Sequence, residues 1–244
     1  MDEIKTLVKW IKDSNKTVFF GGAGVSTESG MKAFRGSNGL YNEKYKYPPE
    51  IILSKDFFDT NTEEFYTYYK AKLNSLDYEP NITHNVLARL EKKGYLSAII
   101  TQNIDNLHQK AGSKKVYELH GTIKKNHCTK CQKPYDAEDV FYKEGIPKCS
   151  CGGTIKPDVI LYGEALDEKT LSGAVTEIAS ADLLIVGGTS LNVFPATNLI
   201  GLFHGKKKVL INRSSTLYDS LFDMVIYGEL GNVFREIEKE MDLK

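Results

Sequence analysis

The chain has little cysteine, no long apolar run and no net charge, and each absence excludes a class of protein. Thirty-two basic residues balance thirty-two acidic ones, so the composition provides no overall electrostatic surface for nucleic acid. No apolar run approaches the roughly 20 residues that a transmembrane helix needs. The first residues, Met1 to Lys5, lack the apolar core of a signal peptide. We therefore expect a soluble, cytoplasmic protein that binds neither nucleic acid nor membrane.

The remaining composition suits an ordinary globular protein. Of the 244 residues, 41% are hydrophobic and 11% are aromatic, which is ample for a core. This length fits one α/β domain with an appendage, or two unequal domains. Neither the composition nor the balanced charge predicts an oligomeric state.

The four cysteines form one cluster in the sequence. They are Cys128, Cys131, Cys149 and Cys151, spaced C-x2-C and C-x-C with seventeen residues between the pairs. This spacing is close to that of a zinc ribbon, in which four thiolates hold one tetrahedral Zn²⁺. Two disulfides are the alternative, which the lack of a signal peptide disfavours. Four protein ligands would close the coordination shell, so the predicted metal is structural.

Apolar strands alternate with helical segments along most of the chain. This alternation predicts a doubly wound, Rossmann-like α/β fold with a parallel sheet buried on both faces. The predicted strands cover residues 17–20, 96–100, 183–186, 208–211 and 224–226, and the clearest helices cover 62–73, 84–93, 170–179 and 232–241.

Two insertions interrupt this sheet domain. The first, residues 31–79, is rich in Tyr and Phe, and the second, residues 124–154, contains the cysteines. We predict a larger domain built from residues 1–30, 80–123 and 155–244. A smaller domain then combines residues 31–79, which are helical, with the zinc-binding module at 124–154. A site is expected in the cleft between them.

A glycine-rich turn follows the first strand. In Gly21-Gly22-Ala23-Gly24-Val25-Ser26, small residues let backbone N–H groups approach a phosphate closely. Alone, the turn is also compatible with a tight strand–helix connection that binds no ligand, because it lacks the spacing of dehydrogenase motifs. The ends of the four other predicted strands are also polar or glycine-rich, and ligands bind at that edge of open α/β sheets.

Seven short motifs are spread along the chain, with the four cysteines between the fourth and the fifth. They lie at residues 22–26, 34–36, 101–108, 118–122, 156–159, 162–164 and 188–191. Taken together, these motifs resemble the sirtuin family, and they occur in family order from about residue 4 to residue 240. The variant most resembled is the bacterial NAD-dependent protein deacylase.

The resemblance implies a reaction with NAD as co-substrate and acyl-lysine proteins or peptides as partners. The acyl oxygen attacks C1′ of the nicotinamide ribose and expels nicotinamide, and the acyl group leaves on ADP-ribose. His120 matches the base that deprotonates a ribose hydroxyl, a role suited to the ordinary pKa of histidine. Asn103 matches the residue that positions this hydroxyl and a water molecule. The other histidines are expected to be structural.

The resemblance also implies where NAD lies. Ala23, Gly24 and Thr27 would surround the phosphates with Arg35 nearby, and Phe34 would cover the ribose. Gln102 would contact the ribose, and Ile104 with Asp105 the nicotinamide carboxamide. The remaining expected cofactor contacts are Thr189, Ser190, Asn212 and Leu230, in addition to Asn103 and His120.

The peptide is expected to add an extended strand between two backbone edges, residues 163–165 and 191–193. Such β-augmentation binds mainly through main-chain hydrogen bonds and tolerates varied sequences. The expected substrate contacts are Val159, Tyr162, Gly163, Glu164 and Val193. The branch that prefers acidic acyl groups has Tyr-x-x-Arg where this chain has Tyr66-x-x-Tyr69. We therefore expect acetyl or longer apolar acyl groups, because the arginine fork is absent.

Three alternative functions remain open on the same scaffold. A mono-ADP-ribosyltransferase would use a protein nucleophile, but it has no need of the second-stage base that His120 matches. An NAD glycohydrolase would need no peptide groove. A non-catalytic NAD-sensing module is the third alternative, because Met31-Lys32-Ala33 replaces the Ile-Pro-Asp usual in the family.

The substitution Ala33→Asp is predicted to strengthen inhibition by nicotinamide. The family aspartate helps to hold nicotinamide, and alanine removes that polar partner. The inhibition constant of nicotinamide in a deacylation assay measures the effect. An unchanged constant in the variant would contradict the prediction.

Overall fold

The computed structural model describes residues 2–33, 39–192 and 196–243, and the strands within these ranges form two sheets. In chain order the strands are β1 (Thr17–Gly21), β2 (Ala98–Thr101), β3 (Val116–Glu118), β4 (Gly121–Cys128), β5 (Pro134–Asp136), β6 (Ile155–Val159), β7 (Leu183–Gly187), β8 (Lys207–Asn212) and β9 (Met224–Tyr227).

The larger sheet is parallel throughout, with the strand order β3-β2-β1-β7-β8-β9. Every residue of β1, β2 and β7 is buried, which explains why these strands are nearly continuous apolar runs. The predicted doubly wound class is confirmed. Strand β3 was not predicted, because it is short, half-buried and includes Tyr117 and Glu118 rather than an apolar run.

Four helices lie where the sequence predicts them, to within two residues at each end. The helices in chain order are α1 (Asp2–Asp13), α2 (Pro49–Ile52), α3 (Lys55–Thr60), α4 (Thr62–Leu73), α5 (Ile82–Lys92), α6 (Leu107–Lys110), α7 (Glu138–Phe141), α8 (Glu168–Ala179) and α9 (Leu230–Met241). Among the described residues, none of these helices combines the length and apolarity of a membrane span.

The parallel sheet separates two hydrophobic clusters. Phe19 in β1 points to one face, where it packs with residues of α1, α5 and α9. Its neighbours Val18 and Phe20 point to the other face, toward α8 and the segment around Leu199. This alternation follows from the two-residue period of a strand. Both faces of β1 are therefore fixed, and the turn that follows it starts from a rigid position.

A third cluster belongs to the smaller part of the molecule. Aromatic residues of α4 and α7 contribute much of it. Phe65 stacks on Tyr69 with ring centroids 5.5 Å apart, and Tyr69 stacks on Phe141 at 5.2 Å. The hydroxyl of Tyr66 donates to the carbonyl of Ile155 in β6, which ties the helices to the small antiparallel sheet β5-β4-β6. The Tyr- and Phe-rich insertion thus contributes to a hydrophobic core of its own. The division into two domains stays a prediction, which the separate clusters support.

The chain passes from the large sheet to the small one at His120 and Gly121. Gly121 has φ +74°, and a Cβ on it would lie 2.0 Å from the carbonyl oxygen of Asp158. The adjacent N–H of Ile160 donates to the carbonyl of His120 at 2.9 Å. A glycine is therefore required here for two reasons, its backbone angle and its contact with β6.

The substitution Gly121→Ala is expected to destabilise the protein by more than about 3 kcal/mol, because strain at positive φ is added to a backbone clash. Gly94→Ala is the matched control, since Gly94 has φ +82° with nothing within 4 Å of its Cβ position. The control should lose only about 1 kcal/mol. Urea unfolding of both variants measures the difference, and equal losses would contradict the prediction.

Candidate active site

The carboxyl ends of the central parallel strands meet at one edge of the large sheet. The turn after β1 lies against the turn after β7, where the N–H of Gly22 donates to the carbonyl of Gly187 at 3.1 Å. The N–H of Gly24 donates to the carbonyl of Gly188 at 2.8 Å. The two turns thus form one surface at the edge where ligands bind in this class of sheet.

This contact leaves no room for side chains. A Cβ on Gly22 would lie 2.7 Å from the Cβ of Thr189, and one on Gly24 would lie 2.7 Å from the Cα of Gly188. Glycine is therefore needed for close packing of the two turns. Ala23, between the two glycines, is half-buried. Such a turn is suited to a phosphate, because backbone N–H groups can approach an anion without obstruction.

The turn after β7 is braced by the end of β8. The side-chain amide of Asn212 accepts from the N–H of Thr189 at 3.1 Å and donates to the carbonyl of Thr189 at 2.8 Å. Leu191 is buried at φ +58°, a strained angle for a leucine that this bracing supports. Ser190 is exposed at the tip of the turn. Asn212 thus holds the turn, and its predicted contact with the adenosine ribose stays a prediction.

Gln102 connects the ends of β2 and β7. Its Oε1 accepts from the hydroxyl of Thr189 at 3.2 Å. Its Nε2 is buried and has no hydrogen-bond partner among the described residues. A buried donor without a partner costs free energy, and a ligand that accepts a hydrogen bond from it would remove this cost. This atom, next to the glycine turns, fits the ribose contact expected of NAD.

His120 lies where β3 ends and β4 begins. Its Nδ1 is 2.9 Å from the carbonyl oxygen of Gln102. A carbonyl only accepts, so Nδ1 carries the ring hydrogen and Nε2 keeps a lone pair. Burial lowers the pKa of His120, and the hydrogen bond to Gln102 partly opposes this shift. The ring is therefore neutral near pH 7, with Nε2 able to take up a proton.

Ser26 is the centre of a buried polar network between the ends of β1 and β2. Its hydroxyl donates to Asp105 Oδ2 at 2.6 Å and accepts from Asn103 Nδ2 at 3.0 Å. The N–H of Leu107 donates to the other carboxylate oxygen of Asp105 at 2.9 Å. Burial raises the pKa of Asp105, whereas these hydrogen bonds lower it. The structure thus brings Asn103 and Asp105 together through a serine.

The remaining predicted cofactor residues surround this network. The hydroxyl of Thr27 donates to the carbonyl of Gly24 at 3.0 Å, and Ile104 is half-buried. Leu230 is buried beneath the turn after β7, where its side chain lies against Gly187 and Gly188. The contacts of all of these residues with NAD stay predictions. Phe34 and Arg35, and Val193 of the predicted peptide edge, lie outside the described residues.

The predicted peptide residues lie on the segment that follows β6. Backbone groups of Tyr162 pair with Leu53 and Lys55 at 3.0 and 2.9 Å, and the segment from Tyr162 to Gly163 is exposed. Glu164 braces the turn, because its Oε2 accepts from the N–H of Leu161 at 2.8 Å. Val159 is buried at the end of β6. The segment is thus a fixed backbone edge.

The four cysteines form a closed set of sulfur ligands. All four Sγ atoms lie within 4.8 Å of one another, with separations of 3.4 Å for Cys128–Cys151 and 3.6 Å for Cys131–Cys149. These distances are far longer than a disulfide bond. They approach the roughly 3.8 Å edge of a tetrahedron with 2.3 Å zinc–sulfur bonds. The donor set therefore fits one zinc ion with no open coordination position.

The chain is similar in sequence to a known protein family over most of its length. The model of the Sir2 family matches residues 22–195. The chain belongs to the Sir2 family. A protein of Clostridium acetobutylicum named NAD-dependent protein deacetylase is 51% identical over 241 residues, which cover 97% of this chain and 98% of that protein. A protein of Clostridium perfringens with the same name is 52% identical, with 97% and 98% coverage.

Solved Sir2 structures agree with this assignment. One, of Sir2 with a p53 peptide and NAD⁺, has a TM-score of 0.89 and 36% identity and covers 99% of both chains. Another, a Sir2 variant with a deacetylated p53 peptide and 3′-O-acetyl-ADP-ribose, has a TM-score of 0.90 and 38% identity, with 97% and 98% coverage. The predicted membership of the sirtuins and the predicted fold are confirmed.

Two residues of the polar network around Ser26 are not among the site residues predicted from the sequence. Ser26, predicted only as part of the glycine turn, connects Asn103 with Asp105. His84, predicted to be structural, has its Nε2 3.4 Å from the Ser26 hydroxyl. The available signal was Asn81-x-x-His84 at the start of α5, a spacing typical of a capped helix N-terminus.

Proposed function

We propose that the chain is an NAD-dependent protein lysine deacetylase, which releases nicotinamide and transfers the acyl group to ADP-ribose. One observation carries the proposal. His120 donates its Nδ1 hydrogen to the carbonyl of Gln102. Asn103, the next residue after Gln102, is oriented by its hydrogen bond to Ser26. A neutral base and a fixed amide therefore lie at the ends of neighbouring strands, at the edge that has the glycine turns.

NAD is proposed to occupy the sheet edge formed by the turns after β1 and β7. Gly22 and Gly24 provide close backbone approach, and Gln102 Nε2 provides an unpartnered donor. Asp105 and Ile104 are proposed to hold the carboxamide of nicotinamide. When bound, NAD supplies an electrophilic ribose carbon and nicotinamide as the leaving group.

His120 acts in this proposal as a general base. Its Nε2 takes a proton from a ribose hydroxyl, and the resulting imidazolium is stabilised because Nδ1 already donates to Gln102 O at 2.9 Å. The pKa of His120, lowered by burial, keeps the ring unprotonated near pH 7. A histidine must be unprotonated before it can accept a proton, so this environment suits the role.

Asn103 is proposed to hold the ribose hydroxyl and a water molecule in place. Its Nδ2 is used by Ser26, and its backbone N–H donates to the hydroxyl of Thr101 at 3.0 Å. The side-chain Oδ1 remains as an acceptor. An amide suits this task because it does not change charge during the reaction.

The substrate is proposed to be an acyl-lysine in an extended peptide. The exposed backbone from Gly163 offers hydrogen bonds to an added strand, while the other side of Tyr162 is already paired with residues 53–55. An open cavity of about 530 Å³, lined in part by Ser54, Asp56 and Gly163, adjoins this edge. Main-chain pairing of this kind would accept varied peptide sequences.

Two finer points accompany the proposal. Acetyl and apolar acyl groups are favoured over succinyl groups, because Tyr66 and Tyr69 are both buried in the aromatic core and the chain has no arginine fork there. A cytoplasmic location is proposed from the four separate thiols, since a reducing compartment keeps cysteines free to bind zinc.

Incubation with NAD and an acetyl-lysine peptide, followed by mass analysis of the products, tests the function. Deacetylated peptide and O-acetyl-ADP-ribose are expected in equal amounts. ADP-ribosylated protein would instead support a transferase, and ADP-ribose formed without peptide would support a glycohydrolase. Unconsumed NAD would contradict all three enzymatic functions.

The variant His120→Ala should lower kcat by at least about a hundredfold, because a positioned general base typically contributes this much. His204→Ala is the matched control, since His204 is exposed and lies far from β3 in the sequence. Full activity of the His120 variant would show that another group is the base.

A further inference from the structure

The N-terminus of α5 determines which ring nitrogen of His84 carries hydrogen. Asn81 caps this helix, and its side chain accepts from the N–H of Thr83 at 2.9 Å. In return, the backbone N–H of Asn81 lies 3.3 Å from His84 Nδ1. A backbone N–H can only donate, so Nδ1 must be the acceptor of this capping box.

The ring of His84 is neutral near pH 7. Burial lowers the pKa of His84 to about 4, and the neighbouring ring of His108, 4.7 Å away between centroids, is also held neutral by burial. A neutral imidazole carries one hydrogen. With Nδ1 occupied as an acceptor, this hydrogen is on Nε2.

The hydrogen on His84 Nε2 determines which partner the Ser26 hydroxyl donates to. His84 Nε2 and Ser26 Oγ are 3.4 Å apart. Ser26 has one hydrogen, which it donates to Asp105 at 2.6 Å, and two lone pairs. One lone pair accepts from Asn103 Nδ2 at 3.0 Å, and the other is available to His84. The hydroxyl then has its full complement of partners.

We propose that His84 is a positioning residue for the reaction: through Ser26, it fixes the orientation of the Asn103 amide. With Nδ2 held by Ser26, the Asn103 oxygen is the atom presented to the substrate. If the Nε2 hydrogen were lost, Ser26 would keep its bond to Asp105 and Asp105 its hydrogen bond with the Asn103 side chain, so the amide would be held less firmly rather than released. This inference rests on the proposed deacetylase function, and it adds a residue that acts on Asn103 through Ser26.

Two variants of His84 test the proposal in the full chain with NAD and acetyl-lysine peptide. His84→Leu removes both hydrogen bonds, and we expect kcat to fall about tenfold, the equivalent of one lost hydrogen bond. The KM values for NAD and peptide should change less than twofold. His84→Gln keeps a donor and an acceptor, and it should recover most of kcat.

Thr83→Val is the matched control on the same helix. Thr83 is fully buried, and its hydroxyl has no hydrogen-bond partner within the described residues. Thr83→Val therefore disturbs the packing next to His84 but keeps the hydrogen bonds from His84 to Ser26 and from Asn81 to His84. We expect an unchanged kcat. A fall equal to that of His84→Leu would overturn the proposal, as would equal losses in the leucine and glutamine variants.

A spectroscopic measurement on the unaltered protein does not depend on whether the variants fold. Long-range ¹H–¹⁵N correlation of the five histidine rings reports which nitrogen is protonated. The proposal requires the Nε2–H form for His84, and the Nδ1–H form or a doubly protonated ring at pH 7 would overturn it. An unaltered protein that makes no O-acetyl-ADP-ribose would overturn the proposed function itself, whereas an active one with unaffected His84 variants would overturn only this inference.

Discussion

The close contact between the turns after β1 and β7 is the constraint on which the site depends. Gly24 and Gly188 meet backbone to backbone, with a hydrogen bond of 2.8 Å and no space for a Cβ. The strands that lead to these turns are buried on both faces, so the turns have little freedom to separate. The glycines are thus explained by packing between two strand ends, and the resulting surface is one that a diphosphate can approach.

A second level of order comes from hydrogen bonds with defined directions. Three side chains at this edge have a donor or acceptor role that a backbone group sets, because a backbone N–H only donates and a carbonyl only accepts. The carbonyl of Gln102 fixes the tautomer of His120, and the N–H groups of Leu107 and Asn81 fix the acceptors at Asp105 and His84. Backbone groups therefore set the orientation of the side chains that are proposed to act in the reaction. These hydrogen bonds restrict the side chains, because a buried polar group is costly to leave unpaired.

The sequence was informative where a pattern reflects burial or a fixed spacing. The continuous apolar runs of β1 and β7 predicted a parallel sheet, and the C-x2-C and C-x-C pairs predicted a sulfur cluster that the structure brings within 4.8 Å. Asn106 has φ +63°, an angle that asparagine tolerates better than most residues. By contrast, β3 has no apolar pattern, and the link from His84 to Ser26 spans 58 residues. Such long-range polar contacts leave no periodic signal, so they require the structure.

Calorimetric titration of the wild type and of Gly24→Ala with NAD shows whether close packing of the two turns is needed for binding. A Cβ on Gly24 would force the two turns apart, so we expect at least about a tenfold weaker affinity for NAD, which corresponds to 1.4 kcal/mol. Gly201→Ala is the control, since nothing lies within 4 Å of its Cβ position, and its affinity should equal that of the wild type. Unchanged NAD affinity in a folded Gly24→Ala variant, or no binding of NAD to the wild type, would show that the packed turns do not form the NAD site.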